Sequence, residues 1–248
     1  MKNLRAVERH PFRFIFLLLL LLVLVQAAGV VIGSQLGLPA SRVGTFTELV
    51  LALILVILVS RLRWWKEIGF RKPEHPADLL IFLPALALPI GNLTFGVAVT
   101  EVSALLSFAT LAIASGFVEE VIFRGLMLRA FAPGGPWKAL VTSTVLFGFT
   151  HALNVFAGHD PLYAALQVGY ALAIGFGFGA IALRSRLLWP LAVVHGLGNF
   201  FAFINGGQMG ALLLLVTTLY IVLFVGYGLY LMLRGQAGRD AGQWVPNV

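Results

Sequence analysis

The sequence has no cysteine, which excludes a disulfide framework, a thiolate nucleophile and any zinc or iron–sulfur centre ligated by cysteine. Charge is scarce as well: 11% of the 248 residues are Asp, Glu, Lys or Arg, against about 25% in a soluble domain. Acidic residues are the scarcer kind, ten against seventeen basic, for a formal net charge of +7. What is present is apolar, with 60% hydrophobic residues and a mean hydropathy of +0.96. That composition excludes a soluble enzyme and a disordered tail, and it belongs to a membrane protein. The basic excess is expected in loops facing anionic lipid, so no nucleic-acid partner is expected.

A bilayer core of roughly 30 Å takes about 20 apolar residues per helix. On that measure the apolar runs predict eight spans, at about 14–33, 43–60, 79–100, 102–128, 138–157, 162–183, 188–206 and 211–233. The first is too long and continuous for a signal peptide and is expected to be retained. The cations support the count. With a cytoplasmic N-terminus, eight spans put fifteen of the seventeen lysines and arginines inside, Arg42 outside and Arg124 within a span. The expected fold is thus an all-α integral membrane protein of eight transmembrane helices, a single membrane domain over 1–248 with both termini cytoplasmic. Pro84 and Pro89 are expected to kink the third helix, and Pro190 suits the first turn of the seventh. The 61–78 stretch reads as an interfacial loop with Trp64 and Trp65 at headgroup level. Two small-residue rows on the sixth helix, Gly169, Ala173, Gly177 and Ala171, Gly175, Gly179, predict close packing on both sides.

An ionisable group at membrane depth costs at least about 2.5–3.5 kcal/mol and so points to function. Glu119, Glu120 and Arg124 lie in the fourth predicted span, His151 in the fifth and His195 in the seventh, with Asn154 and Asn199 near the two histidines. The other charged residues read as loop or span-end residues. Glu120 and Arg124 are four apart, about 40° around a helix, and can pair; Glu119 is rotated by about 100° from Glu120 and is freer for chemistry. Phe147 and His151 share a face, as do His195 and Asn199. At 1.5 Å per residue the groups can converge on one polar chamber opening to the cytoplasm. For each there is a purely structural reading: a buried ion-pair network for the fourth helix, and hydrogen bonds to neighbouring helices or backbone for the histidines. Functionally, two carboxylates, two imidazoles and an amide suit amide hydrolysis by activated water, with donors for the oxyanion. The same side chains could instead hold a divalent metal whose bound water attacks.

The series Glu119-Glu120-x-x-x-Arg124, Phe147-x-x-x-His151 and His195-x-x-x-Asn199, on three separate spans, resembles the three motifs of the type II CAAX prenyl endopeptidase family, whose bacterial members are described as CAAX proteases and bacteriocin-processing (Abi) enzymes. The match covers about residues 110–203. The resemblance implies an eight-helix intramembrane endopeptidase that cuts near the C-terminus of prenylated or other membrane-associated peptides. It implies Glu119 as principal catalytic carboxylate with His151 helping to activate water, Glu120, Arg124 and Phe147 in support, and His195 with Asn199 at the oxyanion. The family is often described as metallopeptidases, yet its motif departs from known zinc patterns. No cofactor is favoured, zinc being the alternative. The expected partners are the peptide substrate and the lipid bilayer, and the expected location is the plasma membrane of a prokaryote.

Rival readings fit less well. Ser115-Gly116 lacks the glycine two places before the serine that a rhomboid-like protease needs, because Ile113 stands there. H-E-x-x-H is absent, and Asp78, Asp160 and Asp240 lie at or beyond span ends. A proton- or cation-coupled transporter would use the same buried groups, but no internal repeat is seen. A non-catalytic scaffold or bacteriocin-immunity protein on the same fold is the other alternative.

Overall fold

The computed structural model describes residues 7, 9–153, 161–206 and 210–237. Among them there is no strand, and helices occupy all eight places where apolar runs predict them. The first two, α1 (Pro11–Gln35) and α2 (Ala40–Leu62), form a hairpin. The third, α3, begins as a 3-10 segment, Pro76–Leu86, and continues as α-helix over Ala87–Leu93. Next comes α4, Val102–Glu119, which runs on through a π-helical segment, Glu120–Met127, and one α-turn, Leu128–Phe131. The last four are α5 (Pro136–Ala152), α6 (Pro161–Ser185), α7 (Trp189–Ile204) and α8 (Ala211–Ala237). Six of the described helices are long and apolar enough to cross a membrane, and α7 is a shorter apolar one. The chain is an integral membrane protein. Its large exposed apolar side chains, such as Phe16, Leu53, Ile113 and Val222, form the surface that lipid would cover.

The third span is shorter than the apolar run predicts. Pro84 and Pro89 withhold two backbone donors, consistent with the opening 3-10 segment and with a helix that ends at Leu93. Gly96 then takes a left-handed φ of 79°, and Ala98 and Val99 donate to the Ile204 carbonyl at 2.8 and 3.1 Å. The break before α4 is therefore residues 94–101 rather than Glu101 alone. Glu101 caps α4, accepting from the Ala104 amide at 2.7 Å and the Ser103 hydroxyl at 2.5 Å. These bonds, the Ser103 hydroxyl first, hold its carboxyl below the usual range.

The small rows of α6 pack closely from Ala171 onward, whereas Gly169 has open space beside it. Gly177 lies against Phe224 of α8, whereas Gly175 and Gly179 lie against Phe147 and Leu140 of α5. Trp64 departs from expectation. It is buried in the protein core, and Trp65 packs edge-on against Phe70, 5.1 Å between ring centroids, and donates to Ser60 Oγ at 3.0 Å. A backbone bend at Arg63, with φ 59°, folds the chain back under the helix end and carries both rings inward.

Candidate active site

The site forms where α4 and α7 approach most closely. A Cβ on Gly116 would lie 2.6 Å from the Gly196 amide nitrogen, and one on Gly196 would lie 3.2 Å from the Ala112 carbonyl oxygen. Only a residue without a side chain lets the two backbones meet this way. One turn along from that crossing, Glu119 and Glu120 of the fourth helix face His195 of the seventh.

His195 stands between the two carboxylates. Its Nδ1 is 2.7 Å from Glu120 Oε1 and its Nε2 is 3.3 Å from Glu119 Oε2. The first is an aligned hydrogen bond, and the second is a close contact without hydrogen-bond alignment. Glu120 is fully buried, whereas the Glu119 side chain keeps 24% of its surface exposed. Glu119 is thus the carboxylate a substrate or water can reach, as its place on the helix predicts.

Arg124 Nη1 lies 3.1 Å from Glu120 Oε1, both side chains fully buried. The predicted pair is present, although the backbone between them is π-helical rather than α-helical. Such wide turns are frequent at functional sites. Ser143 of α5 donates to the Phe123 carbonyl at 2.7 Å and ties that helix to the wide turn. The guanidinium also lies over the Phe147 ring, 4.1 Å from its centroid, and more loosely over Phe178 at 5.9 Å. Phe147 is therefore the hub of the site. Its ring centroid is 4.7 Å from that of His151 and 6.2 Å from that of His195.

The remaining motif residues join less directly. His151 Nδ1 contacts the Phe147 carbonyl oxygen at 3.0 Å, the backbone bond that a membrane histidine can make without any catalytic role. Its Nε2 is left for other partners. Asn199 Nδ2 donates to Ser115 Oγ at 3.0 Å, using one of its two amide hydrogens. Asn154 lies outside the described residues.

Two participants were not singled out by sequence. Ser115 drew notice only as a failed nucleophile motif, and it serves as the partner of Asn199. Glu48 lies well inside α2 and accepts from Gln26 Nε2 at 2.7 Å. Its place six residues into an apolar run was the available signal, and reading it as a span-end residue passed over it.

Catalytic zinc is normally held by three protein ligands. Among the described residues no group of three His, Asp or Glu side chains could hold a metal ion.

The site residues on α4, α5 and α7 fall within one matched segment. Residues 101–201 match the family model described as Type II CAAX prenyl endopeptidase Rce1-like. No curated protein and no solved structure matches the chain. The segment holds both glutamates, Arg124, both histidines and Asn199. Over residues 101–201, this integral membrane protein is similar to the Rce1-like type II CAAX prenyl endopeptidases.

Proposed function

We propose that the protein is an intramembrane endopeptidase that hydrolyses a peptide bond near the C-terminus of prenylated or other membrane-associated peptides. The observation that carries this reading is the bridging of His195 between a buried carboxylate, Glu120, and a partly exposed one, Glu119, inside the matched segment. Glu119 takes a proton from water as the oxygen adds to the scissile carbonyl. His151, through its Nε2, helps to orient that water. His195, fixed by Glu120, and the second amide hydrogen of Asn199 donate to the oxyanion. On collapse the C–N bond breaks and the proton held by Glu119 passes to the leaving amine, so Glu119 acts as base and then acid. No metal takes part in these steps.

Arg124 compensates the charge of Glu120 and keeps it from competing with Glu119. The distribution of cations supports eight spans with both termini in the cytoplasm, and the proposed location is the plasma membrane of a prokaryote. On that topology the ends of α2 and α6, and the mouth of the site, face the cytoplasm.

The test is to incubate the purified protein with a farnesylated C-a-a-X peptide and its unfarnesylated twin, and to identify products by mass. A new C-terminus that is absent with Glu119→Ala supports the reading. Turnover of neither peptide by folded protein, together with coupled proton uptake in vesicles, would favour a transporter.

A further inference from the structure

His195 is fixed directly by the Glu120 carboxylate at 2.7 Å. Asn199, the other oxyanion donor, has one described bond, to Ser115 Oγ at 3.0 Å, and so depends on how α7 is rotated about its axis. The grip that sets this rotation comes from the opposite side of α7, from the short α-helical part of α3, Ala87–Leu93. We infer that Asn92 is a positioning residue for Asn199: its amide holds the Gly198 carbonyl and thereby the rotation of α7, and Tyr220 of α8 holds Asn92 in turn. The inference rests on the hydrolytic reading of the site.

Three observations carry it. The first is the contact itself. Asn92 Nδ2 donates at 2.9 Å to the carbonyl of Gly198, the residue beside Asn199 in the chain. A Cβ on Gly198 would lie 2.6 Å from Leu88 Cγ, so the lack of a side chain there is what lets α3 come within reach.

The second is that the Asn92 amide is oriented. Its Oδ1 accepts from the Tyr220 hydroxyl at 3.2 Å, and the same hydroxyl donates to the Leu88 carbonyl at 2.9 Å. A carbonyl facing Nδ2 and a phenol facing Oδ1 leave the amide one way round. Gly91 makes the room for this, since a Cβ there would collide with the Tyr220 hydroxyl.

The third is angular. At about 100° per residue, Gly196 and Gly198 face nearly opposite sides of α7, and His195 and Asn199 lie between them. Gly196 meets the α4 backbone, where an added Cβ would lie 3.2 Å from the Ala112 carbonyl oxygen. Held on α4 at one side and on α3 at the other, α7 cannot turn without carrying Asn199 off Ser115. The loop that leaves α3 adds a grip at the end of α7, through the Ala98 and Val99 amides on the Ile204 carbonyl.

A bond that merely joins helices would stabilise the bundle and leave the chemistry alone, and the molecule contains a control for that case. Tyr227 of α8 donates to the Ile81 carbonyl at 3.0 Å, toward the other end of α3. The experiment measures kcat and KM separately on a quenched fluorescent farnesylated C-a-a-X peptide, with the full chain held well below the unfolding midpoint of each variant. The variants are Asn92→Ala, Tyr220→Phe, Tyr227→Phe and Asn199→Ala, with Asn92→Ala and Tyr220→Phe each also combined with Asn199→Ala.

Asn92→Ala is expected to lower kcat by about tenfold with KM within about twofold of wild type. Tyr220→Phe should act in the same direction by less, and Tyr227→Phe should lower the midpoint and leave kcat unchanged. In the Asn199→Ala background neither Asn92→Ala nor Tyr220→Phe should cost anything further, because the group they position is gone. Tyr220→Phe removes a single hydroxyl and carries the test if Asn92→Ala does not fold. Wild-type kcat in the folded variants, losses that multiply with that of Asn199→Ala, or an equal loss in Tyr227→Phe would overturn the inference alone. Absence of cleavage by folded wild type would overturn the hydrolytic reading and the inference with it.

Discussion

Glu120 has one exposed neighbour, Glu119, and two buried partners, Arg124 and His195, so changes at these four positions should have different outcomes. Truncating Arg124 to alanine leaves a carboxylate in the core facing only an imidazole. Breaking a buried pair in this way costs about 3–5 kcal/mol, and Arg124→Ala should express poorly with a much lower unfolding midpoint. Normal expression and stability would remove the pair from the account. Asn199→Ala is expected to keep the fold, because its described bond goes to one serine hydroxyl. Its cleavage rate should fall by about 10²-fold, the loss typical of an oxyanion donor, with little change in KM. These residues were legible in the sequence because ionisable groups are rare in apolar helices. The role of His195 was less so: spacing paired it with Asn199, whereas its contacts are with two carboxylates on another helix, a fact set by helix approach rather than by periodicity.

At the scale of the element, the site depends on how closely α4 and α7 cross and on how α4 begins and ends. Gly116→Leu places a branched side chain where even a Cβ would collide with the Gly196 backbone, so the helices must separate. Peptide cleavage should be lost while helix content by circular dichroism is retained; a folded, fully active variant would show that the crossing does not position the site. At its other end α4 is capped by Glu101, whose carboxyl is held low by the Ser103 hydroxyl and the backbone amides. A depressed folded value means that this cap contributes stability above the usual carboxylate range and loses it as the pH falls through the folded value. Glu101→Gln should therefore flatten the acid limb of the stability profile in low salt, as read by thermal unfolding across pH. The break at residues 94–101 and the π-helical turn at Glu120–Met127 were not visible in hydropathy. Both depend on bonds between distant segments, in the first case from the Ala98 and Val99 amides to the Ile204 carbonyl and in the second from the Ser143 hydroxyl to the Phe123 carbonyl.

For the whole molecule, the absence of cysteine makes topology directly measurable, since any introduced thiol is the only one. Lys72→Cys and Arg42→Cys should react with a membrane-impermeant maleimide from opposite faces of sealed vesicles, Lys72→Cys from the cytoplasmic face. Labelling of both from one face would contradict the charge-based orientation. Long apolar helices at the predicted places were legible because a bilayer demands them and because every backbone group must pair within its own helix. The packing of α6 between α5 and α8 was legible too, from its two glycine rows. The tie from Asn92 to Gly198 was not, since it joins helices distant in sequence, and Trp64 was misplaced because a turn at Arg63 carries it into the core.

The central claim is that Glu119 and His195 act as one unit on water and the scissile carbonyl. The most direct test is a double-mutant cycle on cleavage of a quenched fluorescent farnesylated C-a-a-X peptide, comparing wild type, Glu119→Ala, His195→Ala and the double variant, each first shown to be folded. Residues that act as a unit are strongly non-additive. Each single variant should lose at least about 10²-fold in rate, and the double variant should be no slower than the worse single one. A folded Glu119→Ala enzyme as active as wild type, or two losses that simply multiply, would contradict the account.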